Sequence, residues 1–196
     1  MITQHLALAF FWISYCVIHS FLAATKCKLV LKETMGTFFR YYRLLYTIFA
    51  AFTLALLLYF QYSFESPRLF QSPVMKYIAL FFLVIPGLVI MLISIYKYFK
   101  LLSGIQTLFI AKPTSELKVE NIHKYMRHPL YFGTLLFTWG LFFIFPLLSN
   151  LIAVISITLY TVIGIKLEEK KLVKEFGILY RDYQQSVPML VPKLWS

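Results

Sequence analysis

Long apolar runs separated by short segments rich in Lys and Arg dominate this chain. Five of them, residues 6–24, 44–62, 77–96, 130–148 and 151–165, contain no Asp, Glu, Lys or Arg. A bilayer core of roughly 30 Å takes about 20 residues of helix. Unbroken runs of this kind distinguish lipid-facing segments from the alternating surface of a soluble domain. The pattern predicts an all-α polytopic membrane protein of about five transmembrane helices. No linker or low-complexity stretch divides residues 1–196, so a single membrane domain is expected.

Basic residues then assign the sides. Lys26, Lys28, Lys32, Arg40 and Arg43 lie between the first and second runs, and only Arg68 and Lys76 between the second and third. Six more lie between the third and fourth runs, none in the following turn, and six from Lys166 onward. Lys and Arg accumulate in cytoplasmic loops, so the N-terminus is expected outside and the tail in the cytoplasm. The first run lacks the basic start of a signal peptide, since its lysines follow it.

The last two runs form a helical hairpin about Pro146, Ser149 and Asn150, with Ser149 or Asn150 expected to cap the second helix. Antiparallel helices leaving one turn rise at equal rates. Folding about position 148 therefore sets His128 level with Glu168, and Arg127 level with Glu169. Both pairs come roughly 27–30 Å from the turn, at the edge of the hydrocarbon. Gly133, Gly140, Thr161 and Gly164 are candidates for close packing within this hairpin. The second helix is expected to run to Phe176 with Gly177 as its cap, followed by a short amphipathic helix over 178–185. Residues 97–111 read as an interfacial helix, and Pro86-Gly87 as a kink that opens a lateral route.

Composition sharpens this picture. The 196 residues are 60% hydrophobic and 14% charged, well below the charge of a soluble domain, and carry a net charge of +11. In a membrane chain this surplus points to anionic headgroups rather than nucleic acid. Cys16 and Cys27 flank a helix end, too far apart for a disulfide within one helix, and no metal cluster is read. His19, inside an apolar run, is a candidate functional residue; the alternative is a bond to Ser20, Tyr15 or a neighbouring helix. Trp12, Trp139 and Trp195 read as packing or interfacial aromatics, and Tyr180 and Tyr183 as packing residues of the tail.

The stretch Tyr125-Met126-Arg127-His128-Pro129-Leu130-Tyr131-Phe132-Gly133 carries the most chemistry. Pro129 suits a first helical turn. The helix start points unpaired N–H groups and a partial positive charge at the boundary, where Arg127 and His128 add donors. Opposite stand two carboxylates, and Tyr131 offers an aromatic face. Such a pocket suits a ligand combining an ammonium, a carboxylate and a flat ring.

Arg127-His128-Pro129-x-Tyr131-x-Gly133, a hairpin, then Glu168-Glu169-x-x-Leu172 and Phe176-Gly177-x-x-Tyr180-x-x-Tyr183 resembles the isoprenylcysteine carboxyl methyltransferase and phospholipid methyltransferase superfamily. The Val187-Pro188-Met189-Leu190-x-Pro192 ending, His19-Ser20 and Arg43-Leu44-Leu45-Tyr46 are similar to its branch of methanethiol S-methyltransferases and NnrU-type proteins. The resemblance implies S-adenosylmethionine as cofactor and a small thiol or lipophilic acceptor. It implies a bacterial inner-membrane enzyme with its site facing the cytoplasm. It further implies that residues 115–196 form the catalytic hairpin and tail, and 1–114 a scaffold and substrate route. His128, Pro129, Leu130, Tyr131 and Gly133 would line the cofactor pocket, Glu168 or Glu169 would hold its ammonium, and Arg127 would orient carboxylates. His128, His19 or a tyrosine could assist deprotonation of the acceptor. Many relatives have Gly-Pro-Tyr-Arg where this chain has Asn121-Ile122-His123-Lys124, which alters the pocket rim. Two alternatives stand beside this reading: a non-enzymatic NnrU-like accessory protein, and a nicotinamide-dependent membrane reductase, against which the compact tail argues.

Overall fold

The computed structural model describes residues 1–102, 117 and 119–193, without the side chains of 97–102. The described residues are almost wholly helical, in the order α1 (Ile2–Ala23), α2 (Thr25–Met35), a 3-10 segment (Gly36–Tyr41), α3 (Tyr42–Tyr62), α4 (Pro73–Ala79), a π-helical turn (Leu80–Val84), α5 (Ile85–Leu102), a 3-10 turn (Asn121–Lys124), α6 (Pro129–Ile144), α7 (Leu148–Phe176) and α8 (Ile178–Ser186). Among the described residues, four helical stretches are long and apolar enough to cross a bilayer: Ile2–Ala23, Thr25–Tyr62, Pro73–Tyr96 and Leu148–Phe176. The fourth expected span is shorter than its apolar run suggests. It stops at Ile144 after 16 residues, roughly 24 Å of rise. Phe10, Ile13, Val17 and Phe21 of α1 are all well exposed, as lipid-facing side chains are. The protein is thus an all-α polytopic membrane protein. The interfacial helix expected over 97–111 and Trp195 lie outside the described residues, apart from helical backbone through Leu102.

The chain divides into two compact units. The first holds Met1–Leu69 and Leu147–Ser156. Here α1 and α3 run antiparallel, and side-chain hydrogen bonds set their register. Tyr42 donates to the Leu22 carbonyl (2.6 Å), the Tyr46 hydroxyl lies 2.8 Å from His19 Nε2, and Trp12 Nε1 donates to Gln61 Oε1 (2.9 Å). Gln61 passes the chain on to Asn150 Oδ1 (2.8 Å), and all three residues are buried. Nearby, Ser66 Oγ lies 2.9 Å from His5 Nε2 and accepts from the Ser149 N–H. Ser149 and Asn150 are therefore not caps. The helix begins at Leu148; the Asn150 side chain accepts from Gln61 near the end of α3, and the Ser149 N–H donates to Ser66 in the segment that follows it. In lipid an unmet polar group has no water to turn to, so such chains specify which apolar helices pair.

The second unit holds Phe70–Lys97, described residues of 117–146, and 157–193. Ser72 caps α4 by accepting from the Met75 N–H, with Pro73 in the first turn. The expected break at Pro86 takes the form of a π turn just before it, in which the Ile85 N–H reaches back five residues to Leu80. The extra residue accommodates a proline ring that would crowd a regular helix. Gly87 serves close approach: a Cβ there would lie 2.6 Å from the Phe137 nitrogen and 2.9 Å from the Gly133 carbonyl. Gly133 and Gly140 of α6 likewise face Met91 and the Leu83–Val84 turn. Gly133 and Gly140, which the sequence assigns to the hairpin, thus serve a different contact, between α6 and the Pro73–Tyr96 span. Gly164 of α7 faces open space.

Gly87→Ala and Gly133→Ala are each expected to destabilise the protein, by about 1–3 kcal/mol through overpacking against backbone. Gly164→Ala, which meets nothing, should be neutral or stabilising by roughly 0.5–1 kcal/mol. Thermal unfolding of the three variants in detergent checks this, and equal effects at positions 87 and 164 would contradict it.

Candidate functional site

The site is built at the start of α6 and the far end of α7, in the second unit. The apolar stretch of α7 ends at Ile165, and beyond it Lys166, Glu168, Glu169, Lys170, Lys171, Lys174 and Glu175 carry charge. His128 is the residue before the helix and Pro129 its first residue, with the Phe132 N–H closing the turn on the His128 carbonyl. The equal-depth geometry expected of the hairpin is what the fold contains. Arg127 Nε donates to Glu169 Oε1 at 2.7 Å, and His128 Nε2 lies 3.1 Å from the same oxygen. An ionised carboxylate only accepts, so this histidine nitrogen carries the proton.

The two glutamates differ sharply. Glu169 is 15% exposed at its side chain, and its second oxygen accepts from Gln184 Nε2 at 3.0 Å. Burial alone would raise its pKa, but the hydrogen bonds and charges of Arg127 and His128 outweigh that, and it sits below its ordinary value. Glu168 is 46% exposed, with His128 Nδ1 at 3.9 Å. One carboxylate is committed within the protein, and the other keeps nearly half its surface exposed.

Arg127 reaches further than its sequence position suggests. Its Nη1 donates to the carbonyls of Gln184 and Val187, at the end of α8. Its own N–H donates to the Pro188 carbonyl, the His128 N–H to that of Met189, and the Lys193 N–H to that of Tyr125. The tail is thus laced onto the segment before α6. Gly177, at φ +59°, ends α7 and lets α8 fold back, burying Tyr180, Tyr183 and Val187 against Leu172, Val173 and Phe176. Tyr183 also donates to the His123 carbonyl at 2.7 Å. Both tyrosines are packing residues, as expected. Burial and the charge of Glu169 push the Tyr180 phenol well above its ordinary range, so it remains neutral.

The remaining candidates fall as follows. Pro129 is buried, Leu130 and Tyr131 are half-buried, and the Tyr131 ring lies 5.6 Å from that of His128. Gly133 is turned to Gly87 and Met91. His19 belongs to the first unit, where it bonds to Tyr46, the neighbouring-helix alternative raised from sequence. Two participants escaped sequence reasoning. Gln184 has no motif, and only its position four residues after Tyr180, on the inner face of an amphipathic helix, hinted at it. His123 stands within the altered rim, where its Nδ1 lies 3.1 Å from the Arg127 carbonyl.

The family model described as NnrU protein matches residues 6–192 of this chain. The chain belongs to the NnrU family. This NnrU-family chain is also similar to proteins named methanethiol S-methyltransferase. It is 37% identical over 106 residues to that of Pseudomonas deceptionensis, covering 53% of this chain and 39% of the relative. It is 35% identical over 114 residues to that of Crocosphaera subtropica, covering 54% and 43%. To methanethiol S-methyltransferase 2 of Bradyrhizobium diazoefficiens it is 33% identical over 102 residues, covering 48% and 38%. The chain therefore spans about two fifths of the length of these relatives. No solved structure is a significant match.

Glu169→Gln should loosen the tail, seen as faster amide exchange at Arg127, His128 and Lys193. Glu168→Gln should leave those amides protected. Arg127→Ala should cost about 3 kcal/mol, because it strands a largely buried carboxylate; unchanged exchange in both Glu169→Gln and Arg127→Ala would show that the tail is held by other means. The depressed pKa of Glu169 also fixes a pH dependence. Its contribution to tail docking is complete above its ordinary value of 4.5 and is lost as pH falls below that. Protection factors at the same three amides, taken relative to intrinsic exchange at each pH, should fall in wild type from neutral pH into the acid range and stay flat in Glu169→Gln.

Proposed function

We propose that this protein is a membrane methyltransferase that uses S-adenosylmethionine and transfers a methyl group to a small thiol or lipophilic acceptor at the cytoplasmic boundary of a bacterial inner membrane. The observation that carries this reading is the meeting of Arg127 and His128 with Glu168 and Glu169 at the mouth of an apolar helix. The similarity to proteins named methanethiol S-methyltransferase supports it.

The residues present fit such a cofactor. Glu168 offers an exposed carboxylate for an ammonium group, the start of α6 offers backbone N–H groups, and Tyr131 offers a ring face. When bound, this cofactor supplies an already activated sulfonium methyl, which asks the protein for alignment and desolvation. Glu169 and Arg127 do not face that task directly. They hold His128 and the tail in place, so that the site's walls are ordered before a ligand arrives. A thiol acceptor reacts as its thiolate, and His128, its Nε2 proton committed to Glu169, has only Nδ1 left to accept one.

One observation favours a second reading. The contacts of Glu169 with Arg127, His128 and Gln184 are all internal, which also suits a non-enzymatic NnrU-like accessory protein whose charges only clasp its tail. Calorimetric titration of the purified protein with S-adenosylhomocysteine separates the two. Binding is expected, and Glu168→Ala should weaken it roughly tenfold or more, the worth of about 1.5–3 kcal/mol for a hydrogen bond to a charged group. A folded protein that shows no binding would favour the accessory role. Transfer of labelled methyl to methanethiol, prenylcysteines or phospholipids then identifies the acceptor.

A further inference from the structure

Between α1 and α3, in the first unit, lies a cavity of about 330 Å³. It is bounded by Phe11 and Phe60 toward one end and by Leu22, His19 and Tyr46 toward the other. From Phe11 to Leu22 the helix rises roughly 16 Å, so the cavity is a slot rather than a niche. We infer that it binds a membrane-soluble, single-chain amphiphile with an uncharged, hydrogen-bonding head, which the His19–Tyr46 pair recognises.

Four features lead there. The volume lies at the lower end of the range of ligand sites, roughly ten water-sized groups, so a two-heavy-atom thiol would leave most of it empty. The walls are aromatic and aliphatic, and in a bilayer the molecules that reach such a slot are lipid-soluble. Among the described residues no Asp, Glu, Lys or Arg lines it, so a charged head would meet no described counter-charge in a medium that penalises it. The polar groups are unequal. Thr53 donates within its own helix, to the Phe49 carbonyl at 2.8 Å and the Ala50 carbonyl at 3.2 Å, whereas the Tyr46 hydroxyl reaches across the two helices to His19, lying 2.8 Å from its Nε2 and 3.3 Å from its carbonyl oxygen. A phenol oxygen in such a bond both donates and accepts, so it can take a further hydrogen bond from a hydroxyl or thiol head. An ionisable residue inside an apolar helix is costly to keep, and a recognition role accounts for it. The inference rests on the first unit alone and stands independently of methyl transfer.

The test uses the full-length protein in nanodiscs of zwitterionic lipid with a dodecanol analogue carrying a mid-chain diazirine. Saturable photolabelling is expected on the lining residues Phe11, Ser14, Ile18, Phe49 and Leu56, as assigned residue by residue by tandem mass spectrometry. Unlabelled dodecanol should compete roughly fivefold better than dodecane, the worth of about 1 kcal/mol for one hydrogen bond. Tyr46→Phe should erase that difference. Ala50→Trp, which fills the slot, should abolish saturable labelling; should that variant not fold, Ser14→Phe on the facing helix makes the same test. Non-saturable labelling that is equal on Phe10 and Val17 of the lipid face would overturn the site. Equal competition by dodecane would overturn recognition of the head, and full labelling of a folded Ala50→Trp variant would overturn the location.

Discussion

Glu169 is the point on which the second unit turns. One carboxylate accepts from Arg127, His128 and Gln184, which come from the segment before α6 and from α8. A carboxylate largely out of water is tolerable only when its lone pairs are met by charged or well-placed donors. The requirement works in both directions: the charge must be satisfied, and satisfying it forces the mouth of the hairpin and the returning tail into one arrangement. Arg127 extends the same constraint, because its Nη1 ends on the carbonyls of Gln184 and Val187, where α8 stops.

Within the apolar part of the protein, ordinary hydrophobic burial offers little discrimination, since lipid is as apolar as the helices themselves. Two other devices take over. Gly87, Gly133 and Gly140 let backbones approach to distances at which a methyl group would collide. Trp12, Gln61 and Asn150, with His5, Ser66 and Ser149 beside them, tie the first unit by polar bonds that have no alternative partner in hydrocarbon. Neither device is strong by itself. Each is specific, and specificity is what decides which helices pair.

The division of labour between Glu168 and Glu169 follows from the same physics. Adjacent helical residues point about 100° apart. One of two neighbouring carboxylates can therefore face the tail while the other keeps nearly half its surface open. Side by side in the sequence they look equivalent, and only the direction of each side chain separates a carboxylate spent within the protein from one left exposed.

Much of this was legible in the linear chain. The apolar runs dictate membrane helices, because a backbone in lipid must satisfy its own hydrogen bonds. Equal rise along two antiparallel helices places Arg127 and His128 beside the glutamates, and Gly177 marks the end of α7 because it can adopt φ +59° without strain. The partners of the small and polar residues were not legible. Gly133 and Gly140 could as well have faced the hairpin as the Pro73–Tyr96 span, and Ser149 and Asn150 read as caps until Gln61 and Ser66 came near them. His19 could have bonded to Ser20 or Tyr15; α3 brought Tyr46 to it, and with it the slot between the helices. Periodicity and rise act along one helix, so sequence alone determined the helices, the turn and the depth of the charged residues. Rotation of one helix against another depends on contacts between distant segments, and only the tertiary structure decided those.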